Sequence, residues 1–152
     1  MSKQSSLERV ARAAADFGEA RDAVDAAAAE RLGVNRTDLR ILIAARLAGP
    51  VSAGTLAGAV QLSPAATTEA VQRLVARGLL TRGVDPADRR RAVIALVVAT
   101  ERAIERLYGP VRDGGHALLE RYTEAELDVL ADFLDRGRRL QLDNADRIRR
   151  DG

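Results

Sequence analysis

The sequence predicts a mainly α-helical fold with one β-hairpin and with long helices at both ends. Apolar residues recur every three or four positions over most of the chain, which is the period of an amphipathic helix. Residues 79–98 depart from that period and become rich in valine and isoleucine, as strands are. Serine, asparagine, threonine and glycine residues stand where helices would begin and end.

The composition is that of a globular protein, with 47% hydrophobic and 30% charged residues in a chain of 152. The longest apolar run, Ala92–Ala99, is well short of the roughly 20 residues that span a bilayer, and residues 1–9 lack the apolar core of a signal peptide. We therefore expect a cytoplasmic protein with no membrane association. The chain has no cysteine, so disulfides, thiolate zinc sites and cysteine nucleophiles are excluded, and we expect neither metal nor cofactor.

Four helices are predicted in the first half of the chain, and the last three of them have a capping residue at their start: Asn35, Ser52 and Ser63. Ser63 is followed by Pro64, which suits the first position of a helix, and Asp38 lies where a carboxylate can meet the free amides of a first turn. Gly33 and Gly78 follow apolar stripes and are suited to ending helices. The predicted extents, including the capping residues, are Leu7–Leu32, Asn35–Gly49, Ser52–Val60 and Ser63–Arg77.

A hairpin and two further helices are predicted in the remainder. Leu79–Val84 and Arg91–Val98 are strand-like, and the turn-forming segment Asp85–Arg90 joins them. Thr100 is expected to cap a helix that runs to about Tyr122, with an interruption or kink at Gly109-Pro110 and Gly114-Gly115. Thr123 and Glu126 form a capping box that begins the last helix.

The third and fourth predicted helices, joined by a tight turn, are typical of a helix-turn-helix. If Val71, Leu74 and Val75 are buried, the outer face of the fourth helix presents Ala65, Ala66, Glu69, Gln72, Arg73 and Ala76. Small residues at its start would allow approach to base edges. Gln72 can pair with adenine, Arg73 can reach guanine or phosphate, and the amides after Ser63 can hold a phosphate.

The same shape also occurs in proteins that never bind DNA, and Gln and Arg are ordinary surface residues. The hairpin that follows favours DNA, because Arg82, Arg89, Arg90 and Arg91 are concentrated there and an arginine tip can enter the electronegative minor groove. Glu69 faces the same surface, and we expect it to pair with Arg73 at i+4.

Five segments resemble the MarR-type winged-helix regulators, in which such a hairpin is called the wing. They are Leu32–Arg40, Gly49–Ala57, Leu62–Thr68, Arg73–Leu80 and Asp85–Arg91. The resemblance implies a dimer held by interlaced terminal helices, which represses its own or a neighbouring operon and releases DNA on binding a small aromatic acid or another lipophilic compound. The family's Asp-any-Arg wing signature falls on Asp88 and Arg90, which implies that Arg90 enters the minor groove and Asp88 orients it.

Two departures from the family pattern accompany the resemblance. Glu69 stands where many relatives carry a cation, and Ala99–Arg102 replaces the usual Thr-Pro-x-Gly after the wing.

The candidate DNA-binding residues are Ser63, Ala65, Ala66, Thr68, Glu69, Gln72, Arg73, Asp88, Arg89 and Arg90. The chain is accordingly expected to consist of a dimerisation helix (residues 1–32), a winged helix-turn-helix domain (33–99) and C-terminal dimerisation helices (100–152).

An effector site is a further expectation. Phe17, Arg21, Tyr108 and Arg112 can bind an aromatic acid if the long helices meet the winged domain as in the family, although such residues are more often core and rim. His116, the single histidine, can line that pocket or act as a pH-sensitive contact, or it can be an ordinary partly buried imidazole.

Two other classes of protein remain open. An enzyme would need a nucleophile elbow, phosphate loop or metal quartet that no spacing suggests, whereas an architectural DNA binder or a winged-helix interaction module is not excluded.

Overall fold

The computed structural model describes residues 2–151, which form two compact units, residues 2–108 and 109–151. The ends of the predicted division, Met1 and Gly152, lie outside the described residues. The predicted class is confirmed: the described residues form a mainly helical fold with one two-stranded antiparallel sheet. In chain order the elements are α1 (Lys3–Leu32), α2 (Arg36–Ala48), α3 (Ala53–Val60), α4 (Pro64–Ala76), β1 (Leu80–Val84), β2 (Ala92–Leu96), α5 (Val98–Leu119) and α6 (Glu124–Asp151).

The predicted starts of α2, α3 and α4 are confirmed by their capping hydrogen bonds. The side chain of Asn35 accepts from the Asp38 amide at 2.7 Å, and the hydroxyls of Ser52 and Ser63 do the same for Thr55 and Ala66. Gly33 ends α1 with φ of 64°, a left-handed conformation that costs glycine little. α1 begins earlier than predicted, because the Ser2 hydroxyl caps it by accepting from the Ser5 amide.

The predicted start of α5 is wrong. The Val97 carbonyl accepts from the Glu101 amide at 3.0 Å, so α5 begins at Val98 and Thr100 is buried within its first turn instead of capping it. The predicted interruption is also wrong, since α5 passes through Gly109-Pro110 and Gly114-Gly115 as one helix. A proline inside a helix removes one amide donor, yet α5 continues past Pro110 to Leu119.

One hydrophobic core organises the first unit. Its fully buried side chains come from every element between α2 and α5: Ile41, Leu42, Leu56, Leu74, Leu80, Ile94 and Ile104. β1 and β2 pair from Leu80 opposite Leu96 to Val84 opposite Ala92. On its other edge, β2 exchanges two hydrogen bonds with a single residue, Val51, at 2.9 and 2.8 Å. The base of the hairpin is therefore fixed to the α2–α3 connection, while its tip extends from the core.

The second unit contains the C-terminal part of α5 and all of α6. The capping box is confirmed: the Thr123 amide donates to Glu126 Oε2 at 2.9 Å, and the Glu126 amide donates to the Thr123 hydroxyl at 3.4 Å. α6 has no buried residue along its 28-residue length. None of the helices in residues 2–151 has the length and apolar character needed to cross a membrane.

Candidate nucleic-acid interface and ligand cleft

The outer face of α4 is the one that the sequence predicts. Thr67, Ala70, Val71 and Leu74 are buried against the core. The opposite side is exposed and presents Ala65, Thr68, Glu69, Gln72, Arg73 and Ala76, while Ala66 is half-buried. The side chains of this face are small near the start of the helix and polar further along, so another molecule can approach the helix closely at its N-terminal end.

The N-terminus of α4 offers fewer free amides than the sequence suggests. Pro64 has no N–H group, the Ala66 amide donates to the Ser63 hydroxyl at 3.1 Å, and the Thr67 amide donates to the Ser63 carbonyl at 3.0 Å. Among the described residues, the Ala65 amide is thus the only first-turn donor of α4 without an intramolecular acceptor. A phosphate placed there would meet one backbone donor together with the positive end of the helix dipole.

Arg73 is held by Asp38 of α2, and the expected pairing with Glu69 is wrong. Its Nε donates to Asp38 Oδ2 at 3.1 Å and its Nη2 donates to Oδ1 at 2.6 Å, a bidentate pair. The hydrogen bond to Asp38 and then the charge of Asp38 raise the pKa of Arg73, and Glu69 adds only a smaller electrostatic contribution. The Asp38 carboxylate does not bind the free amides in the first turn of α2, contrary to the prediction from the sequence. Instead, the packing of α2 on α4 brings it to Arg73.

The four hairpin arginines, Arg82, Arg89, Arg90 and Arg91, are all exposed. Two aspartates fix the backbone of the tip between them. Asp85 Oδ1 accepts from the Ala87 amide at 2.8 Å, and Asp88 Oδ1 accepts from the Arg90 amide at 3.0 Å. The Arg91 amide also donates to the Asp88 carbonyl. Asp88 therefore organises the main chain from which the Arg90 side chain extends, without contacting its guanidinium group.

A cleft of about 710 Å³ opens in the first unit between α1 and α2. Apolar side chains form much of its wall, and four arginines face two aspartates around it. The lining comprises Arg21, Asp22, Asp25, Arg36, Leu39, Arg40, Ile43, Ala44, Arg46, Leu47, Ala48, Ala59, Val60 and Tyr108. The Tyr108 hydroxyl donates to Asp25 Oδ1 at 2.6 Å, and burial, followed by this hydrogen bond, raises the pKa of the phenol.

Most cations of the cleft are already engaged. Arg36 donates to the carbonyl and carboxylate of Asp22 at 3.0 and 3.1 Å. Arg40 donates to the Val60 carbonyl, and Arg46 pairs with Glu105. Arg21 makes no hydrogen bond or ion pair with the residues described, so it is the cleft cation available to an anion.

The structure brings only part of the predicted effector set together. Arg21 and Tyr108 both line the cleft, whereas Phe17 lies one turn before Arg21 on α1, is 65% exposed and is outside the lining. Arg112 and His116 belong to the second unit, where both are exposed, and Arg112 Nε donates to Asp113. Within residues 2–151, no group of His, Cys, Asp or Glu side chains is arranged to hold a metal.

Sequence reasoning missed the arginines that α2 contributes to the cleft. Arg36, Arg40, Ile43 and Leu47 follow at four-, three- and four-residue intervals, so they share one face of the helix. That face combines cations with aliphatic side chains, which is the signal that was available. Nothing in the spacing, however, indicates that α1 lies opposite and turns a mixed surface into a cleft.

Comparisons with known proteins agree with this geometry. A model of the MarR family matches residues 32–91. The uncharacterised HTH-type transcriptional regulator YcgE of Bacillus subtilis is 34% identical over 123 residues, which cover 81% of this chain and 80% of that protein.

Two solved structures extend the comparison. A MarR mutant of E. coli in complex with operator DNA matches with a TM-score of 0.58 at 19% identity, over 90% of this chain and 98% of that one. NadR in complex with 4-hydroxyphenylacetate matches with a TM-score of 0.61 at 21% identity, over 80% and 88%. At these identities the two structures establish similarity of fold.

Proposed function

Because this chain belongs to the MarR family of transcriptional regulators, we propose that it represses transcription as a homodimer bound to a near-palindromic double-stranded operator. We propose further that a small aromatic or lipophilic effector regulates it and that it acts in the cytoplasm. One observation carries the proposal: an exposed, polar α4 face is followed directly by a hairpin with four exposed arginines. Members of this family are regulators and not enzymes, so the enzyme alternative is set aside.

In this function α4 occupies the major groove and the hairpin, here called the wing (residues 80–96), follows the backbone into the adjacent minor groove. Ala65 and Thr68 allow close approach, and Gln72 and Arg73 reach base edges. Arg89 and Arg90 meet the phosphates and the narrow groove, where the negative potential is strongest. Ser63 contributes by capping α4, with the Ala65 amide free to hold a phosphate.

Exposed apolar side chains on the terminal helices support the homodimer. They are Leu7, Val10 and Phe17 on α1, Val111 and Leu118 on α5, and Val129, Phe133, Leu134, Leu140 and Ile148 on α6. Helices with such stripes are stable when another helix covers them, and a second copy of the same chain provides matching stripes. We accordingly assign residues 1–32 and 100–152 to dimerisation and residues 33–99 to DNA binding.

The cleft is proposed as the effector site. Arg21 supplies a charge for a carboxylate, and Leu39, Ile43 and Leu47 supply an apolar wall for a ring. NadR, a fold relative, binds 4-hydroxyphenylacetate, which has both parts. Phe17 remains a proposed contributor to this site.

Selection of bound duplexes from a random DNA pool tests the regulatory function, first without a ligand and then with aromatic acids such as 4-hydroxyphenylacetate. We expect enrichment of one two-fold-symmetric sequence and loss of its binding when an effector is present. Binding without enrichment of any sequence would favour the alternative of a non-regulatory architectural protein. No binding at all would favour a winged-helix interaction module.

A further inference from the structure

We propose that Asp38 is a positioning residue that sets the Arg73 guanidinium to read a guanine edge in the operator. The inference rests on the proposed function, because it assumes that α4 meets the major groove. It assigns a role in DNA recognition to a carboxylate on α2, which is neither part of α4 nor part of the wing.

The geometry of the pair determines what Arg73 can still bind. Asp38 takes the side of the guanidinium formed by Nε and Nη2, at 3.1 and 2.6 Å. No acceptor within residues 2–151 meets the end formed by Nη1 and the second Nη2 hydrogen, and this end presents two parallel donors. Guanine offers two acceptors, O6 and N7, at the spacing that suits such a pair of donors.

Burial makes the arrangement directional. Asp38 is 2% exposed and cannot follow the guanidinium outward, whereas 45% of the Arg73 side chain remains exposed. The buried carboxylate is therefore a fixed support on α2 that holds the guanidinium in one place, while much of the Arg73 side chain stays accessible at the surface. Preorganisation of this kind reduces the rotamer entropy that Arg73 would lose on binding.

The surrounding charges favour a base edge over a phosphate. Asp38 contacts Arg73 directly, and Glu69 lies one turn earlier on the same face of α4. A phosphate approaching Arg73 would be repelled by two carboxylates, and the net charge that attracts it would be largely cancelled. A neutral guanine edge is recognised by aligned hydrogen bonds, which this neutralisation leaves intact.

A purely structural role for the Asp38–Arg73 pair would explain its side-on geometry and the burial of Asp38 less well. α2 and α4 already share the apolar core through Ile41, Leu42 and Leu74. A buried carboxylate paired with an arginine is a weak source of stability compared with apolar contacts of the same size. The pair thus adds orientation to an interface that the core already holds together.

The test compares the Asp38→Asn variant with the wild type, using the full-length chain. The probes are the duplex that the wild type selects from a random pool and a scrambled duplex of equal length and composition. Asp38→Asn should reduce the ratio of selected to scrambled affinity by about tenfold, with the scrambled affinity unchanged or slightly higher because a negative charge is lost. The matched control is Asp146→Asn, which removes the same charge from an exposed arginine pair on α6; with its dimeric mass in solution verified, it should leave the ratio unchanged.

Arg73→Lys provides a second readout that does not depend on altering Asp38. Lysine can still meet Asp38 as a point charge but has no free end with two parallel donors, so the ratio should fall to a similar extent. In the double variant the losses should not add, because both changes remove the same oriented fork. The most affected position of the selected duplex should be a G·C pair.

Several results would overturn the inference. An unchanged ratio in folded Asp38→Asn, or in Arg73→Lys if Asp38→Asn does not fold, would make the pair a structural contact only. Equal losses for both duplexes would assign Arg73 to a phosphate. If the wild type enriches no sequence at all, the proposed function itself fails, and this outcome is distinct from the others.

Discussion

Arg90 is the residue of the wing whose loss is expected to weaken DNA binding most clearly. Its side chain extends from the exposed tip, so Arg90→Ala should leave the fold intact. We expect a loss of about 1–3 kcal/mol in DNA affinity and a decrease of about one in the slope of log affinity against log salt concentration. Titrations with a labelled operator at several salt concentrations measure both. Arg12→Ala, which removes another exposed arginine, from α1, should change neither, and equal effects of the two variants would contradict the assignment.

Asp88 should act on DNA only through Arg90. Its carboxylate accepts from the Arg90 amide at 3.0 Å, so Asp88→Ala should loosen the tip and weaken binding by less than Arg90→Ala does. Asp88→Asn retains a side-chain oxygen that can accept the same hydrogen bond and should bind nearly as the wild type does. A double-mutant cycle of Asp88→Ala with Arg90→Ala measures the coupling, and additive losses would show that the two residues act independently.

Arg21 should matter for the effector and not for the operator. Arg21→Gln removes the cleft cation that lacks a partner among the described residues, while Arg36, Arg40 and Arg46 keep theirs. We expect DNA affinity to be unchanged and the concentration of aromatic acid needed for release to rise at least about tenfold, since a charge-assisted hydrogen bond contributes roughly 1.5–3 kcal/mol. Arg12→Gln is the matched control. An unaltered response in Arg21→Gln would move the effector site elsewhere.

Local residue chemistry was predictable, and long-range pairing was not. Asn35, Ser52 and Ser63 cap helices as expected, because a cap acts within three residues of itself. The partner of Arg73 was misassigned to Glu69, its helical neighbour, because Asp38 is 35 residues away and only tertiary packing brings it close. A helical projection indicates which face Arg73 occupies, but it cannot say which second helix supplies a carboxylate.

At the scale of elements, the capping box of α6 leads to a prediction about how the stability of the protein depends on pH. The Thr123 amide, and then its hydroxyl, lower the pKa of Glu126 from its usual 4.5. Since the pKa is depressed in the folded state, the box contributes stability above the unfolded-state value and loses it as the pH falls through the folded-state value. The thermal midpoint of the wild type should therefore decrease below pH 4.5 more steeply than that of Glu126→Gln. Glu124→Gln, in the same first turn, should keep the wild-type slope, and identical slopes for all three proteins would argue against this role.

The boundaries of the elements show where a sequence signal is outweighed. Thr100 is a good capping residue, yet α5 begins at Val98 because the core buries Thr100 and the Val97 carbonyl starts the helical ladder. Val51 pairs with the edge of β2 as a single residue. One residue is too short a segment to show an alternating pattern. Elements with repeated periodicity were predictable, whereas single-residue pairings and competing starts depend on the packed core.

At the scale of the whole molecule, the exposed stripes of the terminal helices and the single α4 in each chain lead to a prediction about the operator. A two-fold dimer presents two copies of α4 to one face of the duplex, so its operator should be a near-palindrome with half-sites about one helical turn apart, ~34 Å. Protection of the selected duplex from cleavage should be symmetric about its centre.

Changing the spacing between the half-sites tests this symmetry directly. Inserting about five base pairs rotates one half-site to the opposite face of the duplex, since a turn contains about 10–10.5 base pairs. The dimer then engages only one half-site, and its affinity should fall to that measured for a duplex of the same length carrying a single half-site. A central substitution that keeps the spacing is the control and should have a smaller effect. Full affinity after the insertion, or tight binding of one chain to an asymmetric half-site, would show that the two copies of α4 do not read DNA together.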